Sequence, residues 1–105
     1  MSLIDSFVHL ERRIKVILRE VDREQLTRFD RTSFDKIKLA LTQLRLDIRD
    51  YEYAETRAEQ QKWAKISHNN LRALQHYILQ LSDVFGPVDV AELSAGIDLL
   101  QSNIE

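Results

Sequence analysis

The amino-acid sequence predicts an all-α protein built as an antiparallel helical bundle. The stretch 33–85 contains neither glycine nor proline, so nothing in it forces the backbone out of a helix. Two apolar ladders cross this stretch at alternating steps of three and four residues, as on one face of an amphipathic helix. The ladders are Phe34, Ile37, Leu41, Leu44, Ile48 and Tyr51, followed by Leu71, Leu74, Ile78, Leu81 and Phe85.

The two ladders are out of phase. Residues 51 and 71 are separated by about five and a half helical turns, so one straight helix would carry its ladders on opposite sides. Such a helix would be roughly 80 Å long, whereas a compact domain of this size has a radius of gyration of about 13 Å. We therefore predict a chain reversal, either in the polar segment 52–61 or at 67–70, where paired asparagines tolerate left-handed backbone. The alternative is one long helix whose halves contact different partners.

The first helix is predicted from Ser2 or Asp5 to about Phe29, with a kink or a frayed turn near 22–25. Its apolar seam is Leu3, Phe7, Leu10, Ile14, Ile17 and Val21. A linker at 30–33 follows. Thr32, with Asp35 three residues later, resembles a capping box and predicts that the second helix starts near Ser33 and runs towards 60.

The third helix is predicted over about 62–85, and Gly86 with Pro87 ends it. A short fourth helix follows, starting near Asp89. Its core positions are Val90, Leu93, Ile97, Leu100 and Ile104. Gly96 inside this helix either weakens it by about 1 kcal/mol or allows another helix to approach closely. The predicted bundle therefore has three long helices and a short C-terminal one, and dimerisation would complete it.

The composition is that of an ordinary globular protein, with 44% hydrophobic and 30% charged residues. The length suggests one domain over residues 1–105. The absence of cysteine excludes disulfides, a thiol nucleophile and thiolate metal ligands. No apolar run approaches the roughly 20 residues that span a bilayer, and the first residues resemble no secretory signal. We therefore expect a cytoplasmic protein.

Charge is distributed unevenly along the chain, whose net charge is -2. Basic residues outnumber acidic ones between Glu11 and Lys38, whereas the part from 67 onwards holds Arg72 as its single Lys or Arg. The first part could face an acidic partner and the last part a basic one. Nucleic-acid binding is a weaker alternative, because acidic residues are interleaved with the cations. It would use Arg12, Arg13, Lys15, Arg19, Arg23, Arg28, Arg31, Lys36 and Lys38.

His68, Arg72 and His76 follow one another at a spacing of four and share a stripe of the third helix. The segment Ser67-His68-Asn69-Asn70-Leu71-Arg72 resembles the phospho-acceptor helix of sensor histidine kinases, which reads Ser-His-x-Leu-Arg. Here one extra asparagine precedes the leucine, and the usual following proline is absent. The resemblance implies an alternative function as a phosphohistidine acceptor, in which the His68 imidazole attacks a phosphate.

The sequence supports neither metal binding nor catalysis. His68 and His76 lie about 12 Å apart along a helix, too far to share a metal ion. The chain has no nucleophile motif and no glycine-rich phosphate loop, so we predict neither a cofactor, a metal site, catalytic residues nor an enzyme.

Aromatic residues surround the predicted reversal. Trp63 and Ile66 lie off the line of the second ladder, which suggests a second apolar face, and Tyr and Trp favour interfaces. We therefore predict a protein–protein interaction or assembly module without enzymatic activity, with a second copy as its simplest partner. The candidate contact residues are Tyr53, Trp63 and Ile66, with His68, Arg72 and His76 as a polar rim.

Overall fold

Helices make up most of the chain in the computed structural model, which describes residues 2–104. Within this range, α1 spans Leu3–Arg19, a 3₁₀ turn spans Arg23–Gln25, α2 spans Arg28–Glu52, α3 spans Arg57–Gln80, α4 spans Ser82–Phe85 and α5 spans Pro87–Asn103. The described part contains no strand, which confirms the prediction of an all-α protein. The prediction of a short C-terminal helix is wrong, because α5 has 17 residues, as many as α1.

The chain reverses between α2 and α3. The reversal lies within 53–56, inside the first of the two predicted segments, whereas 67–70 is an internal part of α3. Ser33 Oγ donates to Gln80 Oε1 over 3.0 Å, and Asn70 Nδ2 donates to Asp47 Oδ2 over 2.6 Å. These pairs show that α2 and α3 run antiparallel. The longest dimension of the molecule is 46 Å and its radius of gyration is 14.1 Å, which excludes a single long rod.

The first three long helices all begin with the same local pattern. In each, a Ser or Thr side-chain oxygen accepts a hydrogen bond from the backbone N–H three residues later, where an acidic residue stands. The pairs are Ser2 with Asp5 at 3.2 Å, Thr27 with Asp30 at 3.1 Å, and Thr56 with Glu59 at 3.1 Å. Hydroxyl caps therefore set the starts of α1, α2 and α3.

The predicted boundary between the first two helices is wrong. α1 ends at Arg19 rather than near Phe29, and the supposed linker 30–33 lies inside α2. Thr32 does not cap a helix, since its hydroxyl donates to the Arg28 carbonyl oxygen over 3.1 Å. The predicted break near 22–25 is confirmed, because the chain leaves the α-helical conformation there. The predicted start of the third helix near 62 is also wrong, because α3 begins at Arg57.

Asp35 has a different role from the predicted one. It forms a bidentate pair with Arg23, with Nε to Oδ1 at 2.9 Å and Nη2 to Oδ2 at 2.6 Å. This pair ties the 3₁₀ turn to α2. The hydrogen bonds from Arg23 hold the pKa of the Asp35 carboxyl below its usual value.

We expect this pair to make stability depend on pH. Because the folded pKa of Asp35 is lowered, the pair stabilises the fold above the ordinary value of about 3.9, and this stabilisation is lost as the pH falls through the folded value. An Asp35→Asn variant should therefore be less stable than the wild type at pH 7 and equally stable in strong acid. Urea unfolding at both pH values measures this, and a difference of the same size at both would contradict it.

The apolar ladders meet in one core. All eleven residues of the two predicted ladders are buried, which confirms these core positions, although Leu81 lies at the junction of α3 and α4 and Phe85 in α4 rather than in α3. α1 contacts α2 and α5, and α5 contacts α1 and α3, so all four long helices contribute to one core. α1 and α5 add Phe7, Leu10, Ile14, Leu18, Leu93, Ile97 and Leu100.

The two glycines have separate structural roles. Gly86 has φ +80° and ψ 157°, a conformation that favours glycine, and Pro87 then occupies the first turn of α5. A Cβ at Gly96 would lie 3.2 Å from Leu10 Cδ1, so this glycine allows α1 and α5 to approach closely. The second of its two predicted roles is therefore confirmed.

Candidate functional site

Five of the six predicted contact residues lie on α3, where they are divided between its flanks, and Tyr53 lies in the turn before it. Trp63 and Ile66 lie seven and four residues before Asn70, so they share the flank that faces α2. His68 lies on the opposite flank and contacts the end of α5. The structure therefore does not bring the six predicted residues together into one surface.

Their exposure also differs. Tyr53 is 77% exposed in the turn between α2 and α3. Trp63 is half-buried and packs against the core, and Lys62 Nζ lies 5.1 Å from the centroid of its ring. Ile66 is half-buried, whereas Arg72 and His76 are exposed. Of the two predicted aromatic contact residues, Tyr53 is therefore the more exposed and Trp63 the one that packs against the core.

His68 holds α5 against α3. Its Nε2 lies 2.9 Å from the Ile104 carbonyl oxygen, and since a carbonyl only accepts, Nε2 carries the proton. Gln101 Nε2 also donates to the His68 carbonyl oxygen, over 3.4 Å. A phosphoryl group would have to attach to Nδ1, the other ring nitrogen. The phospho-acceptor alternative stays a prediction, and acid-labile phosphate on His68 after incubation with acetyl phosphate would test it.

Between residues 2 and 104, two carboxylates are buried. Asp47, 1% exposed, accepts from Gln43 Nε2 at 2.9 Å and from Asn70 Nδ2 at 2.6 Å. Glu11, 3% exposed, accepts a hydrogen bond from Arg45 on α2 and lies 3.6 Å from Lys15 Nζ. Both groups connect neighbouring helices. The helical spacing of both residues does signal burial. Glu11 lies four residues after Phe7 and three before Ile14, and Asp47 lies three residues after Leu44 and four before Tyr51.

The described part of the chain contains neither a candidate metal site nor a candidate membrane-spanning helix. No group of three or more metal-ligating side chains in residues 2–104 is close enough to hold an ion. No helix over the same range combines the length and the apolar character needed to cross a membrane.

The outward face of α5 carries an exposed apolar strip. Val88 and Leu99 are 69% and 63% exposed, and Ala91 and Ala95 between them are also exposed. The four residues follow at steps of three, four and four, so they lie along one side of the helix. We call them the α5 strip. The opposite side of α5 already fills the core, so this helix is apolar on both faces.

Acidic side chains border the α5 strip. Helical spacing places Glu92 along one edge and Asp98 along the other. Glu92 pairs with Arg13 of α1, whereas the sequence from 73 to 104 contains no Lys or Arg at all. The strip is therefore an apolar surface with a negative edge at Asp98, whereas the charge of Glu92 on the other edge is balanced by Arg13. The three- and four-residue steps of the strip can be read from the sequence. They are less conspicuous than the steps of the larger core residues of α5, Leu93, Ile97 and Leu100.

Several cations proposed for nucleic-acid binding already have partners within the chain. Arg13 pairs with Glu92 and Arg23 with Asp35, and Arg31 donates to the Leu26 carbonyl oxygen over 3.4 Å. These contacts leave fewer cations free for phosphates.

Comparison with known proteins identifies no relative of this chain. No protein family matches it, and no curated protein or solved structure is significantly similar to it.

Proposed function

We propose that this protein is an interaction module without enzymatic activity, in which an antiparallel helical bundle presents the α5 strip to a helix of a partner protein. The observation that carries the proposal is the strip itself. Single exposed apolar residues are normal on a protein surface, but aligned ones mark a contact site more often. Folding alone does not account for this strip, since the other side of α5 supplies the core contacts.

The chemistry of the strip selects the partner. Ala91 and Ala95 are small, so the backbone of another helix could approach closely between the larger Val88 and Leu99. The Asp98 edge favours Lys or Arg on the facing side of the partner's apolar face. The occupant we propose is therefore a basic amphipathic helix. A second α5 strip fits less well, because α5 contains no Lys or Arg that could face Asp98.

Self-association, which the sequence predicts, would then use another surface. Tyr53 is the best candidate residue for it, because its side chain is exposed and contributes nothing to the core. Trp63 is less suitable for a test, since its replacement would also disturb packing. Sedimentation of the wild type and of Tyr53→Asp tests this separate hypothesis, and an unchanged mass would contradict a Tyr53 contact.

The α5 strip is tested by replacing Val88 and Leu99 with serine. We expect the double variant to bind a synthetic helix of leucine and lysine at least about tenfold more weakly than the wild type. The change removes apolar contacts and leaves the charge of the protein unchanged, so it isolates the apolar contribution. Fluorescence anisotropy with the labelled helix, at about 0.15 M salt, measures the affinity.

A matched control comes from α2. Leu39 and Leu46 are 70% and 41% exposed, and their replacement by serine removes comparable apolar surface elsewhere. This control variant should bind the helix within about twofold of the wild type. An equal loss in both variants, or no binding by the wild type, would contradict the proposal.

A further inference from the structure

A second surface, unrelated to the α5 strip, lies between α1 and α2. A groove of about 370 Å³ opens there, lined by Lys15, Leu18, Arg19, Lys38 and Thr42. Lys15 and Arg19 stand one turn apart on α1, and Lys38 and Thr42 stand one turn apart on α2. Leu18, only 4% exposed, contributes an apolar side chain between them.

The groove is positively charged and contains no acidic lining residue. Within residues 2–104, Arg19 and Lys38 have no carboxylate within ion-pair distance. Lys38 Nζ lies 5.0 Å from the centroid of the Phe34 ring, and its charge also acts on Asp35, which Arg23 already pairs. Lys15 lies 3.6 Å from Glu11, whose other carboxylate oxygen is held by Arg45. Thr42 is neutral, and its hydroxyl donates a hydrogen bond to the Lys38 carbonyl oxygen. The three cations therefore exceed the negative charge near them.

We infer that this groove binds an acidic segment of a partner protein, with carboxylates about one helical turn apart. The cations on its two sides complement negative charge. Two carboxylates at positions i and i+4 of a helix have the same spacing as Lys15 and Arg19. The site differs from the α5 strip in both position and sign of charge, so it does not rest on the function proposed above.

A nucleic acid fits this groove less well. Tight binding of a nucleic acid requires contacts to several phosphates along a continuous positive path. Here the path is interrupted where α1 ends, because Glu20 directly follows Arg19 and Asp22 comes two residues later. A volume of about 370 Å³ accommodates a few side chains rather than a polymer backbone. The size and the borders of the groove therefore favour a short acidic segment.

The test uses three labelled probes and the full chain. One is a synthetic alanine–leucine helix with two glutamates at positions i and i+4, the second has glutamines in their place, and the third is a single-stranded DNA. Lys15→Gln combined with Lys38→Gln should weaken binding of the glutamate probe at least about tenfold. Arg12→Gln combined with Arg28→Gln changes the net charge equally at exposed positions outside the groove, and should have an effect of about twofold or less.

The outcomes separate the possible occupants. Equal weakening by both double variants, or equally tight binding of the glutamine probe, would overturn the inference. The inference would also be overturned if the DNA bound more tightly than the glutamate probe and its binding depended equally on Lys15 and Lys38. Failure of the wild type to bind the glutamate probe would overturn it as well. Arg19→Gln supplies a second variant for the groove. Replacement of Val88 and Leu99 by serine should leave this binding unchanged, which distinguishes the two sites.

Discussion

Replacing Leu44 with alanine is expected to lower the free energy of unfolding by about 2–5 kcal/mol. Leu44 lies in the first apolar ladder on α2 and is fully buried in the common core. The variant loses the transfer free energy of the removed carbons, and the surrounding helices close the resulting cavity only in part. Urea unfolding followed by far-ultraviolet circular dichroism measures the change.

Leu39 provides the matched control on the same helix. It has the same side chain, the same backbone conformation and the same change in helix propensity, but it is 70% exposed. Leu39→Ala should alter the free energy of unfolding by no more than about 0.5 kcal/mol. If both variants lost the same stability, the ladder that contains Leu44 would not face the core.

Replacing Glu11 with glutamine is expected to lower the free energy of unfolding by about 1–3 kcal/mol. The carboxylate is buried between α1 and α2, where it accepts from Arg45 and lies near Lys15. The hydrogen bond to this carboxylate raises the pKa of the Arg45 guanidinium, as expected for a strong pair. The loss should stay below that of a fully buried ion pair, because the Arg45 side chain is 52% exposed and can return to water.

Glu92→Gln is the corresponding control. Glu92 also pairs with an arginine of a neighbouring helix, but its side chain is 53% exposed. An exposed pair of this kind contributes at most about 1 kcal/mol. A double-mutant cycle with Arg45→Gln would isolate the coupling at Glu11, and a coupling near zero would show that the two side chains act independently.

The core could be predicted from the sequence because its signal is repeated. The ladders from Phe34 to Tyr51 and from Leu71 to Phe85 place eleven buried residues correctly, since each step reinforces the same helical face. The reversal between them followed from their phase difference. It did not depend on any local turn signal.

Helix boundaries were harder, because the same capping pattern occurs more than once. Thr27 with Asp30 and Thr32 with Asp35 both read as Thr-x-x-Asp, and only the first is used as a cap. Asp35, the acidic residue of the unused pair, is instead bound by Arg23 across the turn. A long-range contact of this kind is not visible in the local sequence.

The candidate surfaces could be predicted only in part. The charge asymmetry along the chain anticipated opposite charges at the groove and at the α5 strip. It did not place Lys15 opposite Lys38, because that arrangement depends on the register between α1 and α2. The six predicted contact residues were separated for a similar reason, since a shared helix does not imply a shared flank.

The recognition role that we propose for α5 would link binding to the stability of the whole molecule. Its inner side chains close the core, and its outer strip is arranged on the surface only while the helix is docked. A ligand of the strip would bind the native state alone, and at a concentration a hundred times its dissociation constant it would add about 2.7 kcal/mol by mass action. The melting temperature should therefore rise with the amount of partner, and a thermal scan against candidate helices would identify a binder without any assay of activity.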